Sequence, residues 1–176
     1  TGRLNDGSRI ENVNATVNVT VTRSSIANLS EGVYVGGLVG ASGGTITDVH
    51  TSGQVRGSRD VGGVVGLQLG NITNVSSDAT TVGVADVGGV TGQLNDGRLT
   101  NATSSGYIDG YPYNGIDQVR SEASGLGGLV GEAAGGTVRS ASSSATINAS
   151  YSSSAGGLIG SNGATLLDVA ASGYVN

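Results

Sequence analysis

Few side chains in this sequence are equipped for covalent or metal chemistry. There is one histidine, His50, and no cysteine, so thiolate nucleophiles, thiolate metal sites and disulfides are excluded together. None of the HExxH, GxSxG, phosphate-loop or EF-hand patterns occurs. His50 follows Val49 in an alternating stretch and reads as an outward, solvated position rather than a ligand or base. Asp48 and Asp168 occupy one repeat position, as the paired acids of a glycan-cleaving site would, but Asn74, Asn101 and Ser140 hold the positions between them. That row reads as a polar ladder at a turn. Asp6 and Asp96 lie in "LNDG" turns, and "GGLVG" lacks the aspartate that a calcium-binding β-roll places after its glycine turn. The expectation is a chain with no catalysis, no metal and no cofactor.

Asparagine offers a different chemistry. Asn14, Asn18, Asn28, Asn71, Asn74, Asn101 and Asn148 each open an Asn-X-Ser/Thr sequon, an excess that points to a glycosylated surface protein. Asn74 and Asn101 share one repeat position, where a structural role for the asparagine is the competing reading.

These residues are carried by a repeat. "VGGLVG" begins at Val35, "VGGVVG" at Val61, "VGGVTG" at Val87, "LGGLVG" at Leu126 and "AGGLIG" at Ala155, at intervals of 26, 26, 39 and 29 residues. "TGRLNDG" from Thr1 echoes "TGQLNDG" from Thr91 as a truncated earlier copy. A period in this range marks a solenoid, propeller or array. Each copy reads as three short strands: the glycine signature, a segment such as "TITDV" from Thr45, and a segment such as "SGQV" ending at Val55. The last two alternate apolar and polar residues. Three strands in about 26 residues suit one coil of a β-helix, because a propeller blade needs four strands and about 40 residues. The predicted fold is all-β, a β-solenoid, right-handed, of about six coils with loop insertions at one corner.

Stacking at about 4.8 Å would align equivalent residues in ladders. Leu38, Val64, Val90, Leu129 and Leu158 form one, and Ile10, Ile46, Ile72, Leu99, Val138 and Leu166 a second. Val19, Val55, Ile108, Ile147 and Val175 form a third, in which the second copy needs a one-residue slip to bring Thr81 or Val82 onto the rung. The glycine ladder (Gly36, Gly37, Gly40; Gly62, Gly63, Gly66; Gly88, Gly89, Gly92; Gly127, Gly128, Gly131; Gly156, Gly157, Gly160) would serve a corner needing positive φ and close approach between coils. The copies divide at about 1–34, 35–60, 61–86, 87–125, 126–154 and 155–176 within a single domain, itself a possible segment of a longer array.

Composition narrows the partners. Glycine supplies 33 of 176 residues, and Phe, Trp, Met and Lys are absent, which favours thin regular layers over a thick core. With a net charge of −5 and no lysine, there is no basic patch for nucleic acid. No apolar run approaches the roughly 20 residues that would insert in a membrane.

The cores "GLVG" at 37–40 and 128–131 and "GLIG" at 157–160 resemble the GLUG repeat. Val64 and Val90 depart from its leucine in the second and third copies. The resemblance implies a large secreted or surface-anchored microbial protein, either adhesin-like or the non-catalytic part of an immunoglobulin A1-cleaving metallopeptidase. It supplies no catalytic residue.

Extra residues fall at about 20–34, 109–125 and 151–154, each just after the third strand. They hold or flank Tyr34, Tyr111, Tyr113 and Tyr151, and Tyr111, Pro112, Tyr113 and Asn114 form the candidate contact loop. Neither end shows a polar or helical cap, which leaves strand edges to pair. The expected function is an extracellular structural or adhesive solenoid at the cell surface, a fibre subunit or an adhesin stalk. It would associate end to end or with neighbouring repeats of its own chain, and with glycans or a cell-surface receptor. The alternative is a carbohydrate-binding or carbohydrate-processing β-helix, with aromatic and acidic residues along one face. Ice binding wants faithful Thr-x-Thr ladders, and the Thr45–Thr47 pair is not repeated faithfully.

Overall fold

The computed structural model describes residues 2–21, 33–110, 124–150 and 152–176. Every regular element among them is a β-strand, and all the pairings are parallel. One copy of the repeat shows the course of the chain. Arg59–Gly62 joins a five-stranded sheet, Val65–Gln68 a six-stranded sheet, and Asn71–Ser77 with Thr80–Gly83 a ten-stranded sheet. The next copy lays Ala85–Gly88, Thr91–Leu94, Arg98–Ser104 and Tyr107–Gly110 alongside these strands. Neighbours within a sheet therefore come from successive copies, the stacking of a β-solenoid, at about 4.8 Å per rung.

The glycine signature is not the single strand expected of it. Val35–Gly36 lies in the five-stranded sheet and Val39–Ser42 in the six-stranded sheet, with Gly37 and Leu38 turning between them. The second and third expected segments instead share the ten-stranded sheet, and in Thr45–Arg56 they are one continuous strand.

The register builds the interior. The Leu38 amide donates to Val64 O at 3.0 Å, Val64 to Val90 O at 2.9 Å, Val90 to Leu129 O at 2.9 Å and Leu129 to Leu158 O at 2.8 Å. Ile10, Ile46, Ile72, Leu99, Val138 and Leu166 align rung by rung. Both rows pack into the larger hydrophobic cluster, and a smaller one gathers around Val55, Ile108 and Ile147. Each buried aliphatic side chain contributes on the order of 1.5–3 kcal/mol.

The smaller cluster contains a correction. No slip is needed in the second copy, because Val55 pairs with Thr81, and Thr81 with Ile108, at unchanged spacing. Thr81 is fully buried, and its hydroxyl oxygen has no hydrogen-bond partner. A threonine matches its β-branched neighbours in shape but leaves a polar atom stranded.

The glycines also act differently from expectation. None of the signature's Gly-Gly pairs lies at positive φ, and the left-handed residues of the corner within the ten-stranded sheet are Asn12, Asp48, Asn74, Asn101, Ser140 and Asp168, with φ between 50° and 56°. The glycines are required for space. A Cβ at the first glycine of a pair would strike the carbonyl oxygen three residues on, as Gly62 would strike Val65 O. At the second it would strike the carbonyl of the next rung, as Gly89 meets Gly128 O, and the Ser104 hydroxyl across the interior. At the last glycine of the signature it would enter a peptide group of the preceding rung, as Gly92 meets Asp60–Val61.

Two stability measurements follow from this packing. Gly89→Ala is expected to cost at least about 1–3 kcal/mol in a urea titration, since backbone on the next rung must move. Gly2→Ala, where a Cβ meets nothing within 4 Å, is the neutral control, and equal midpoints for the two variants would contradict the steric account. Thr81→Val removes the stranded hydroxyl without changing shape and is expected to stabilise by about 1 kcal/mol. A lower urea midpoint would show that the hydroxyl has a partner after all.

Candidate functional site

Outside the core, three rows of side chains could act on another molecule. The first is the left-handed corner. Asn and Asp tolerate positive φ because their short polar side chains bond locally. Here they also bond along the stack: Asn74 Nδ2 donates to Asp48 Oδ1 at 3.0 Å, and Asn101 Nδ2 to Asn74 Oδ1 at 2.7 Å. The side chains of sequon residues Asn74 and Asn101 thus already form part of a ladder. Asn14, Asn18 and Asn71 are exposed, while Asn148 is half-buried and donates to Asp109 Oδ1 at 2.9 Å. Asn28 and the loop residues Tyr111, Pro112, Tyr113 and Asn114, like Tyr151, lie outside the described residues.

The second is a groove in the ten-stranded sheet. Strand structure is interrupted at Asp78 and Ala79, and again at Ser105 with Gly106 and at Ser144 with Ala145. A groove of about 310 Å³ runs along these interruptions, lined almost wholly by serine and threonine, with His50 and Asp78 among the lining residues. His50 is not simply solvated. Its Nδ1 lies 2.9 Å from Ser76 Oγ on the neighbouring rung, and its Nε2 lies 3.8 Å from Asp78 Oδ1. Acyl transfer by such a set needs a base on the hydroxyl, an acid hydrogen-bonded to the other ring nitrogen, and amides aimed at an oxyanion. Only the first is in place. At 3.8 Å the carboxylate is beyond hydrogen-bond range. The Asp78 amide donates to Thr51 O at 3.0 Å, and the Ala79 amide to Ser77 Oγ at 3.4 Å. The groove presents donors and acceptors to a ligand, and the machinery of acyl transfer is not assembled.

The third is a carboxyl pair that the sequence reading passed over. Asp60 and Asp86 sit one rung apart at a second left-handed corner, with φ of 48° and 55°, and both are buried. Arg59 Nη2 bonds Asp86 Oδ2 at 3.1 Å, and Gln93 on the adjoining sheet donates to Glu132 at 3.2 Å. Burial pushes the Asp60 carboxyl up to about 7, with Asp86 and Glu132 adding to the rise and Arg59 opposing it. Burial and Glu132 also raise Asp86, against Arg59. The signal was available, since both aspartates directly precede Val-Gly-Gly at the repeat interval.

A raised carboxyl holds its proton in the folded chain when the unfolded chain has lost it. The stability it contributes is complete below the ordinary value of 3.8 and is lost as pH climbs towards 7. Asp60→Asn, which keeps the corner-compatible shape, is expected to raise stability at pH 8 and to converge on the unmodified chain at pH 4. The difference between them should change by up to about 1.4 kcal/mol per pH unit inside that window. Thermal melts across pH that run parallel for the two proteins would remove the assignment.

Among the described residues, no helix is long and apolar enough to cross a membrane. No curated protein and no solved structure matches this chain. Residues 122–148, which include the "LGGLVG" signature and the strand Thr137–Ser143, match the family model of the GLUG motif. This chain therefore carries a GLUG motif at that copy of its repeat.

Proposed function

We propose that the chain is an extracellular structural or adhesive β-solenoid, a right-handed stack of about six coils that forms part of a surface fibre or of an adhesin stalk and catalyses no reaction. The GLUG motif supports the extracellular repeat context. The observation that carries the reading is the likeness of the two outer edges of the ten-stranded sheet. Arg9–Thr20 and Thr165–Ala171 each pair on one side only among the described residues. Both edges present the same corner, with φ of 56° at Asn12 and 53° at Asp168. They also present the same apolar row, Ile10 and Val13 on one edge and Leu166 and Val169 on the other, all half-buried. A further rung laid on either edge would continue the ladder without a change of register, and it would bury a row that now stands half open. That rung comes from another copy of the chain or from neighbouring repeats of the same polypeptide.

Electron microscopy of the protein isolated from its source, without refolding, tests the assembly. Filaments whose cross-striation continues through the subunit junctions are expected for a fibre subunit, and long single particles with the same repeat for a stalk. Compact particles of unrelated shape would overturn both.

A further inference from the structure

We propose that the serine- and threonine-lined groove binds an extended, uncharged glycan chain lying along the stacking axis. This goes beyond the scaffold reading, because it holds whether or not the coils of separate copies join.

Three rows of side chains run in parallel along the groove. Ser76, Thr103 and Ser142 align rung by rung on one wall. Ser105, Ser144 and Ser172 occupy equivalent positions at the interruption, each donating its amide to a serine carbonyl one rung back, at 3.0, 2.8 and 2.8 Å. Two residues beyond Ser105 and Ser172 stand Tyr107 and Tyr174, joined in register through Thr146 and exposed to 40% and 65%. The groove thus carries a pair of hydroxyls on two successive rungs, Thr103 with Ser105 and Ser142 with Ser144, about 4.8 Å apart. The rung to either side carries one hydroxyl, where Ser76 stands with Asp78 and Ser172 with Ala170, and two tyrosine faces two rungs apart flank the groove.

The chemistry on offer selects the ligand. Among the described residues, the hydroxyls of Thr103, Ser105, Ser142 and Ser172 have no protein partner, so each can both donate and accept. A polyhydroxylated chain matches such a row, since every sugar presents hydroxyls of both roles and a β-1,4-linked chain advances by little more than one rung per residue. Tyrosine adds an amphipathic face that packs on a sugar ring while its own hydroxyl stays wet. A peptide finds less here. Most of the lining side chains are hydroxyls, and the amides of Asp78, Ser105, Ser144 and Ser172 are already bonded to carbonyls within the stack. An anionic chain is disfavoured, because no arginine lines the groove and Asp78 does.

The test uses the full chain made without glycosylation, titrated calorimetrically with cellohexaose, xylohexaose and mannohexaose, and with oligogalacturonate as the charged comparison. At least one neutral hexasaccharide is expected to bind with Kd of about 1 mM or tighter. Ser105→Leu and Ser144→Leu, both at exposed positions, should each weaken binding about tenfold by removing hydroxyls and filling the groove. Tyr107→Ala should weaken it several-fold. Leu167→Ala, exposed but not a lining residue, should leave it unchanged. Far-UV circular dichroism and thermal melts of each variant report retention of the fold. Three outcomes overturn the proposal: no neutral sugar bound at about ten times that concentration, affinity unaltered in both serine variants, or tighter binding of the galacturonate chain.

Discussion

Among the described residues, each strand position has an equivalent position stacked about 4.8 Å above or below it, and its side chain must tolerate that neighbour. Apolar rows meet the condition without cost: Ile10, Ile46, Ile72, Leu99, Val138 and Leu166 bury one another as they stack. Charges do not. At the first left-handed corner the two aspartates, Asp48 and Asp168, are kept apart by Asn74, Asn101 and Ser140. The amides between them donate along the row, so that Asn74 bonds Asp48 and Asn101 bonds Asn74. At the second corner Asp60 and Asp86 are direct neighbours and buried, so burial and their mutual repulsion push the Asp60 carboxyl up to about 7, and Arg59 bonds Asp86. The following rung relaxes the conflict by placing Gly125 at that position, with φ of 61°.

The same spacing explains the letters of the glycine signature. A corner that turns between two sheets within a few residues brings three backbone segments together. The first glycine admits a carbonyl of its own turn, the second a carbonyl of the next rung, and the last a peptide of the rung before. These are separate obstructions, so one glycine cannot stand in for another. Leucine or valine fills the one position of the turn that faces the interior, where Val64, Val90 and Leu129 are fully buried. The exchange of leucine for valine there alters volume and leaves the corner geometry alone, which is why both residues occur within one stack.

Much of this was legible in the sequence, because a stack converts periodicity into contact. The apolar ladders could be written down from the spacing of the signatures, and the register joins the same residues. What escaped was conformation and pairing. Positive φ points first to glycine, which adopts it most easily, yet the corner row of Asn, Asp and Ser takes that role, and the signature glycines are needed for close approach. His50 alone, an outward position on an alternating strand, gives no sign of a partner, although Ser76 stands one repeat interval away and bonds it. The Asp60–Asp86 pair escapes for the same reason: its carboxyls carry their meaning only together, one rung apart. Burial of an aspartate has no local signature, since it arises from the sheet that closes over it.

A stacked fold also divides positions between scaffold and function in a way that a compact core does not. Inward positions are bound by the need to match their neighbours in volume. Outward positions are bound only to avoid like charge and crowding, and a small hydroxyl meets both conditions indefinitely. Ser76, Thr103 and Ser142 can therefore repeat along a wall at no electrostatic cost, whereas a row of carboxylates could not. Linear order of this kind is inherited from the scaffold, so a groove on a solenoid is long, straight and periodic before any ligand has selected it. A ligand that exploits it must itself be periodic on the same scale, which ties what the surface can recognise to the hydrogen-bond spacing that holds the rungs together.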